Sequence, residues 1–182
     1  VSYELEALKA QACAARTFAV SRMMQNGGCS KASGAQVCTS SNHCQAYISV
    51  EDMKKNWGSD YEIKCNKIKK AVSETKGQII TYQNKPISAL YHSTSGGYTE
   101  NSEDVFVTAK PYLRSAISEG EEPYAPRFYG QVKVSYKDFI SKLKAFDKDI
   151  QITEENIETK IMDIKRTNTN RVEQLKIDDK AI

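Results

Sequence analysis

The stretch of sequence that decides the fold is residues 4–24, which read ELEALKAQACAARTFAVSRMM. It contains no glycine and no proline, and it is rich in the residues with the highest helix propensity. At about 100° per residue, apolar residues form one stripe along this helix and small residues form another, almost opposite. The apolar stripe is Leu5, Leu8, Ala12, Ala15, Ala19 and Met23, and the small-residue stripe is Glu6, Ala10, Cys13 and Thr17. We therefore predict a long buried helix, because a helix with two such faces is normally enclosed by the rest of its domain.

Glu6 is the only carboxylate on the small-residue stripe, and it has two interpretations. It lies in the first turns of the helix, where the helix dipole stabilises a negative charge by roughly 0.3–1 kcal/mol. Helical geometry alone favours this structural role, which Glu4 shares. Alternatively, Glu6 is a catalytic acid in a groove floored by Ala10, Cys13 and Thr17. That role requires partial burial, because burial favours the protonated form of a carboxyl group.

The rest of the chain alternates between the period of a helix and the period of a strand. In chain order, the predicted elements are helices at 51–56 and 60–75, a hairpin of strands 78–82 and 87–91 with its turn at 83–86, extended pieces at 105–107 and 111–117, a helix at 135–146, and a hairpin of strands 157–166 and 172–177. This order indicates an α+β fold with antiparallel pairing rather than parallel βαβ units. We expect the long helix to pack on these hairpins.

Composition and charge are those of an ordinary globular protein. Of the 182 residues, 40% are hydrophobic and 27% are charged. The net charge of +3 is too small to indicate a nucleic-acid partner, although it is compatible with an anionic surface such as a cell wall or a membrane.

The domain organisation predicted from these patterns is a single domain over 1–182. Its core covers 1–118, and a smaller C-terminal α+β lobe covers about 128–182. Between them, residues 119–127 contain prolines and acids and are expected to form an exposed linker. The sequence contains no signal-peptide pattern and no run of about 18 apolar residues. We expect the chain to be truncated at both ends, with a targeting segment upstream.

Three of the five cysteines lie close together, between Cys29 and Cys44, and His43 lies among them. Thiolates and imidazole in a loop suit Zn²⁺, whose tetrahedral shell accepts sulfur and nitrogen. The pattern Cys38-x4-His43-Cys44 is not that of a zinc finger, and adjacent ligands require a sharply bent backbone. Chance clustering in a reduced loop is the alternative. Two further cysteines occupy helix-packing positions and are expected to be core thiols: Cys13 and Cys65.

A polar loop, YHSTSGG at 91–97, follows the second strand of the first predicted hairpin. Its glycine pair allows the backbone to approach a ligand closely, and its hydroxyl groups with His92 could line a groove that binds a polyol. His92 with Ser95 would instead suit a hydrolase, but the sequence has no G-x-S-x-G pattern and no assigned acidic partner. The simplest alternative is a polar turn after a strand.

Several segments resemble the stage II sporulation protein D family, the engulfment lytic transglycosylases of endospore-forming bacteria. They are EALKAQACAARTFA, NHCQAY, AVSETKGQIITYQNKPISALYHSTSGGYTENSEDVF and KPYLRSAIS, in the same order from Glu6 to about Ile117. The late segment IKRTNTNRVEQLKI is similar to the closing part of the family, and the cysteine loop resembles clostridial members. Family members continue beyond the equivalent of Ile182.

The resemblance implies an activity and the residues that carry it. The catalytic acid of the family directly precedes Ala-Leu-Lys-Ala-Gln, which corresponds to Glu6. The implied reaction cleaves the β-1,4 bond between N-acetylmuramic acid and N-acetylglucosamine in peptidoglycan, with the C6 hydroxyl of the substrate as nucleophile and a 1,6-anhydro product. One carboxyl group can act as acid and then as base, whereas hydrolytic glycosidases usually need two. The implied substrate-binding residues are His92, Ser93, Thr94, Ser95, Gly96, Gly97 and Tyr98.

The resemblance also implies a metal, partners and a location. Cys38, His43 and Cys44 would bind Zn²⁺ in a structural role, because the acid mechanism needs no metal; Cys29 is left open as a fourth ligand. The implied partners are peptidoglycan glycan strands, a peptidoglycan amidase and, through an absent N-terminal anchor, the membrane on the mother-cell side of the sporulation septum. The alternative function is a non-catalytic module that binds peptidoglycan and recruits the amidase, in which Glu6 only hydrogen-bonds sugar.

Overall fold

The structure is a computed structural model that describes residues 3–26, 28–125 and 127–182. Contacts between residues divide the chain into two compact units, Val1–His92 and Ser93–Ile182. This boundary lies upstream of the expected linker at 119–127, of which Pro126 is outside the described residues. The single catalytic domain predicted from the sequence stays a prediction.

The first unit contains three helices and a short hairpin. Its elements are α1 (Leu5–Asn26), α2 (Val50–Trp57), a 3₁₀ turn (Gly58–Asp60), α3 (Tyr61–Glu74), β1 (Thr81–Tyr82) and β2 (Lys85–Pro86). Ser49 caps α2, because its Oγ accepts a hydrogen bond from the backbone N–H of Asp52 at 3.0 Å. Helix α1 packs against α3 and also contacts β2. The predicted helices are therefore present at nearly the predicted positions.

Thr17 joins α1 to the segment that enters the hairpin. Its side chain is fully buried, its Oγ1 donates to the carbonyl of Cys13 at 2.6 Å, and the N–H of Ile80 donates to the same Oγ1 at 2.8 Å. Arg16 adds hydrogen bonds from Nη1 to the carbonyls of Thr75 and Gln78, at 2.8 and 2.7 Å. Most other described side chains of α1 are half-buried or exposed. The helix is thus less enclosed than its sequence predicts.

The hairpin is confirmed, but it is shorter and tighter than predicted. Thr81 pairs with Pro86 and Tyr82 with Lys85, in antiparallel register. Both central turn residues, Gln83 and Asn84, have positive φ angles of 50° and 60°. A two-residue turn of this kind follows the twist of the strands. The predicted four-residue turn at 83–86 is therefore wrong, since its second half belongs to β2.

The second unit packs helices against an antiparallel sheet. Its elements are α4 (Ser102–Val105), α5 (Tyr136–Phe146), α6 (Ile157–Lys160), β3 (Ile161–Arg166), β4 (Val172–Ile177) and β5 (Lys180–Ala181), with strand order β3-β4-β5. Its core contains the buried side chains Ile150, Ile152, Ile157 and Ile177, against which lie Phe139, Ile140, Leu143, Ile161 and Leu175. The mixture of helices and small antiparallel sheets is compatible with the predicted α+β class.

Three local predictions in the second unit are wrong. Val105, predicted to begin the extended piece at 105–107, is the last residue of helix α4. Residues 157–160 form the helical turn α6 rather than the start of a strand, with the N–H of Lys160 donating to the carbonyl of Asn156 at 3.0 Å. The piece predicted at 111–117 forms no strand. Ile117 takes part in an isolated bridge with Tyr98, and the N–H of Thr99 donates to the carbonyl of Ala116 at 2.9 Å. Within the described parts of the chain, no helix combines the length and apolarity that a membrane span requires.

Candidate functional site

Glu6 lies in the first turn of α1 with its side chain 81% exposed. Its Oε1 accepts a hydrogen bond from Lys9 Nζ at 2.7 Å, and the same Nζ lies 2.6 Å from Glu74 Oε2 on α3. The hydrogen bond to Glu6, followed by that to Glu74, raises the pKa of Lys9. The bond from Lys9 in turn lowers the pKa of Glu74. Glu6 is therefore a solvent-accessible carboxyl group whose nearest partner, Lys9, is shared with a second acid. The described residues do not give Glu6 the partial burial that a catalytic acid requires, so a bound ligand would have to supply it.

The small-residue stripe of α1 does not form one open groove. Thr17 lies beneath the N–H of Ile80, and Cys13 Sγ lies 3.9 Å from Gln78 Oε1. The stripe is therefore covered at its Thr17 end, whereas Ala10 and Glu6 remain exposed. The expectation that Thr17 helps to floor a groove is wrong, because the chain that enters the hairpin packs over it.

The cysteine loop brings four potential ligand atoms together. The ligand atoms of Cys29, Cys38, His43 and Cys44 all lie within 4.8 Å of one another. His43 Nδ1 lies 3.4, 3.5 and 3.4 Å from the sulfurs of Cys29, Cys38 and Cys44, and the sulfurs of Cys29 and Cys44 are 3.7 Å apart. A tetrahedral shell with metal–sulfur bonds of about 2.3 Å and a metal–nitrogen bond of about 2.0 Å needs separations of about 3.5–3.8 Å. The four side chains therefore fit one metal ion.

Backbone turns explain how this loop accommodates adjacent ligands. The N–H groups of His43 and Cys44 both donate to the carbonyl of Ser40, at 3.1 and 2.9 Å, which bends the chain sharply at this point. Cys29 is held by its N–H bond to the carbonyl of Ala35 at 2.9 Å. A side chain at Gly28 would meet that same carbonyl oxygen at 2.8 Å, so this close approach requires glycine.

The environment of Cys38 favours the thiolate, which is the form that binds metals. A backbone hydrogen bond from Ser40 contributes most to lowering the pKa of Cys38 to about 6, and the side chains of His43, Cys29 and Cys44 add to this, against the opposing effect of burial. Thiolates rather than thiols bind metals. At Cys44, against a backbone hydrogen bond with Cys38 that lowers the pKa, burial and the side-chain hydrogen bonds with Cys29 and Cys38 instead raise it. The metal-binding role of the cluster therefore rests on its geometry, and electrostatics supports it at Cys38.

An open cavity of about 340 Å³ adjoins the metal cluster in the first unit. Its lining comes from α1, the cysteine loop and the segment after the hairpin, namely Phe18, Ser41, Cys44, Gln45, Ala46, Ala89, Leu90 and Tyr91. Cys44 belongs to both the cluster and the cavity wall. A metal ion in the cluster would therefore fix one wall of this cavity.

The polar loop after the hairpin is organised by a residue that the sequence analysis missed. The N–H groups of Ser95, Gly96 and Gly97 donate to Glu121 Oε2 at 2.8, 3.1 and 3.4 Å. Hydroxyl groups of Ser95 and Ser118 also donate to this carboxylate, both at 2.9 Å. The region containing Glu121 is thus no free linker. No local sequence pattern distinguishes Glu121 from the neighbouring acids, so only the tertiary structure could identify it.

The remaining predicted substrate residues occupy different positions. His92 ends the first compact unit, whereas Ser93 begins the second. Ser93 is exposed, Thr94 is half-buried and Tyr98 is 44% exposed. The structure thus brings Ser95, Gly96 and Gly97 together around one carboxylate, and their role in substrate binding stays a prediction.

Comparison with known proteins now gives the family. Residues 1–82 match the family model described as SpoIID, Stage II sporulation protein. The chain is 43% identical over 143 residues to Stage II sporulation protein D of Bacillus amyloliquefaciens, an alignment that covers 79% of this chain. The chain therefore carries a SpoIID domain. Its identity to Stage II sporulation protein D of Bacillus subtilis (strain 168) is 42% over 142 residues, or 78% of this chain.

The SpoIID relatives are longer proteins, because the chain spans 41% of the length of each of these two. A protein named Amidase enhancer, from Bacillus subtilis (strain 168), is 35% identical over 112 residues, covering 62% of this chain and 13% of that protein. The resemblance found in the sequence is confirmed at the level of the family. The roles of individual residues stay predictions.

Proposed function

We propose that this chain is the catalytic part of a peptidoglycan lytic transglycosylase that remodels septal peptidoglycan during engulfment. The observation that carries the proposal is the accessible Glu6 carboxyl group, in the first turn of α1 and within the segment that matches the SpoIID family. A glycan strand can reach this group without a rearrangement of the backbone. The proposed substrate bond is the β-1,4 bond between N-acetylmuramic acid and N-acetylglucosamine.

Glu6 performs both proton transfers in this mechanism. The protonated carboxyl group gives its proton to the bridging O4 of N-acetylglucosamine as the bond from C1 of N-acetylmuramic acid to O4 breaks. The C6 hydroxyl group of the same N-acetylmuramic acid attacks C1, and Glu6 takes the proton released from that hydroxyl. The products are a free 4-hydroxyl end and a 1,6-anhydro end, so no water is consumed and no second carboxylate is needed.

The arrangement of Lys9 between two acids suits a Glu6 that changes its protonation state. When Glu6 carries the proton, Lys9 retains an ion pair with Glu74 at 2.6 Å. When Glu6 has lost its proton to the leaving oxygen, Lys9 lies 2.7 Å from the new carboxylate. Lys9 therefore has a charged partner throughout the cycle, which limits the cost of its own desolvation under a bound sugar.

The polar loop supplies the substrate contacts in this proposal. Ser93 and Tyr98 offer exposed hydroxyl groups for the sugar, and Thr94 and Ser95 lie between them in the chain. Gly96 and Gly97 keep the backbone open, and His92 precedes the loop as a further polar contact. The hydroxyl groups of this loop can donate and accept hydrogen bonds with the hydroxyl groups of a glycan strand.

We assign the metal cluster to Zn²⁺ in a structural role. Three thiolates and one imidazole would supply four ligands to one ion, which is the ligand set of structural rather than catalytic zinc sites. The ion would hold the wall of the cavity lined by Cys44 and Tyr91, and no step of the reaction passes through it. Cys29 is thereby included as the fourth ligand.

A second function, a non-catalytic module that binds peptidoglycan and recruits an amidase, is favoured by the similarity to the protein named Amidase enhancer.

In either case we propose an extracytoplasmic location on the mother-cell side of the septum, with attachment to the membrane through a segment outside this sequence.

Digestion of purified glycan strands, followed by mass spectrometry, tests the two functions against each other. Formation of 1,6-anhydro ends by the wild-type protein supports the transglycosylase. Binding of strands in a pull-down assay without any anhydro product would favour the recruiting module, and the absence of both binding and product would overturn both functions.

A further inference from the structure

The carboxylate of Glu121 occupies a position in which a bound anion would normally be expected. Three successive backbone N–H groups, from Ser95, Gly96 and Gly97, converge on it, and two hydroxyl groups complete the ring of donors. Successive N–H groups that point inward form a concave anion-binding nest. Here the anion belongs to the chain itself and comes from a segment about 25 residues further along.

Arg171 holds the other side of the same loop. Its Nη2 donates to the carbonyls of Ser95 and Tyr98 at 2.5 and 2.6 Å, and its Nη1 donates to Glu100 Oε1 at 2.7 Å. The N–H groups of the loop thus donate to the carboxylate of Glu121, and its carbonyl groups accept from the guanidinium of Arg171. Both of these charged residues come from parts of the chain distant from the loop in sequence.

These contacts fix a backbone that would otherwise be free to move. Gly96 and Gly97 have φ angles of 75° and 97°, and glycine loses more conformational freedom on ordering than any other residue. A further anchor is the bond from the N–H of Ser118 to the carbonyl of Gly97 at 2.8 Å. The hydrogen bonds to Glu121 outweigh its burial and lower its pKa to about 2, so the carboxylate is ionised at neutral pH.

We propose that Glu121 is a positioning residue for glycan binding, fixing the loop so that Ser93, Thr94 and Tyr98 present their hydroxyl groups in one arrangement. This inference rests on the proposed function, because it takes the loop to be the substrate-binding segment. Glu121 itself makes no contact with sugar, since its oxygens are already engaged by the loop and by Ser118. A loop ordered in advance spares the substrate the entropy cost of ordering it.

Steady-state cleavage of glycan strands by Glu121→Ala, with Glu122→Ala as the matched control, tests this role. Glu122 is the exposed neighbour of Glu121. Its carboxylate accepts a hydrogen bond from the hydroxyl group of Tyr129, which lies outside the polar loop. We expect Glu121→Ala to raise KM about tenfold or more, because several charge-assisted hydrogen bonds are lost. We expect kcat at saturation to change by less than about threefold. A variant that is merely less folded would instead lose kcat at unchanged KM.

Chemical rescue gives a second readout. Acetate added to Glu121→Ala can enter the vacated nest and should restore KM to within about threefold of the wild type, whereas neutral acetamide should not. If Glu121→Ala does not fold, Glu121→Gln serves instead, because the amide keeps the shape of the side chain but removes the charge and one of the two acceptor oxygens; it should raise KM in the same way.

The outcomes separate this inference from the proposed function. If the wild type neither binds nor cleaves glycan, the proposed function fails and the inference fails with it. If the wild type is active and Glu121→Ala matches Glu122→Ala in KM, or if acetamide rescues as well as acetate, the positioning role alone is overturned.

Discussion

Sγ of Cys29 lies 3.4 Å from Nδ1 of His43, although 14 residues separate them in the chain. This contact completes a set of four ligand atoms of which the sequence predicted three. Cys29 is the buried member of the set. Its contact with His43 joins the backbone at Cys29 to the turn around His43.

Replacing Cys29 should therefore weaken metal binding. We expect the wild type, purified without chelator, to contain about one zinc per chain. Cys29→Ser should lose metal to a competing chelator at a concentration at least about tenfold lower, because one of four ligands is removed. Elemental analysis during chelator titration measures this. The matched control is Cys13→Ser, outside the cluster, which should retain the wild-type affinity; a metal-free wild type would contradict the assignment.

Replacing Glu6 should abolish the chemistry and leave the fold intact. Glu6→Gln keeps the size of the side chain but removes the titrating proton, and general acid–base assistance is worth about 10²–10⁴-fold in rate. Anhydro-product formation, followed by mass spectrometry, should fall by that factor. Glu4→Gln is the control, because Glu4 is exposed just before the same helix. Retention of more than about a tenth of the activity by Glu6→Gln would remove Glu6 from the catalytic role.

Replacing Thr17 should destabilise the first unit. Thr17→Val has almost the same shape but leaves the N–H of Ile80 without its acceptor, and the loss of one hydrogen bond costs about 0.5–1.5 kcal/mol. The free energy of unfolding, measured by denaturant titration, should fall by that amount. Thr81→Val, at an exposed position of β1, serves as the control. Equal stability of the two variants would show that the Thr17 bond contributes nothing.

The contribution of Glu121 to stability should disappear in acid. Its pKa is lowered from the ordinary 4.5 to about 2 in the folded chain, so its stabilising effect is complete above pH 4.5 and is lost as the pH falls from 4.5 to 2. We expect the difference in unfolding free energy between wild type and Glu121→Gln to be constant between pH 6 and 8 and to shrink below about pH 4.5.

A second carboxylate with a lowered pKa, that of Glu103, does not affect this comparison between wild type and Glu121→Gln. The hydrogen bond from Arg114 lowers the pKa of Glu103 to about 2 as well, but Glu103 is present in both proteins, so its contribution cancels. Thermal or denaturant unfolding across this range measures the difference. A difference that stays constant down to pH 2 would mean that the Glu121 charge does not hold the loop.

Local patterns in the sequence determined the helices and the family. α1, α3 and α5 follow from helix propensity and apolar spacing, and Ser49 and Ser135 cap their helices through bonds to residues three positions ahead. The resemblance to SpoIID rests on continuous segments, which are also local. The boundaries of helices and strands are predicted less well where more than one turn type fits the sequence, as in the two-residue turn at Gln83 and Asn84.

Only the tertiary structure decided which distant residues meet. Thr17 lies under Ile80, Cys29 joins His43, and Glu121 enters the nest of the polar loop. Each of these contacts joins parts of the chain that have no common period or motif. Their partners are chosen by how hydrogen-bond donors and acceptors must be satisfied once the chain is folded, and this requirement has no signature in a local stretch of sequence.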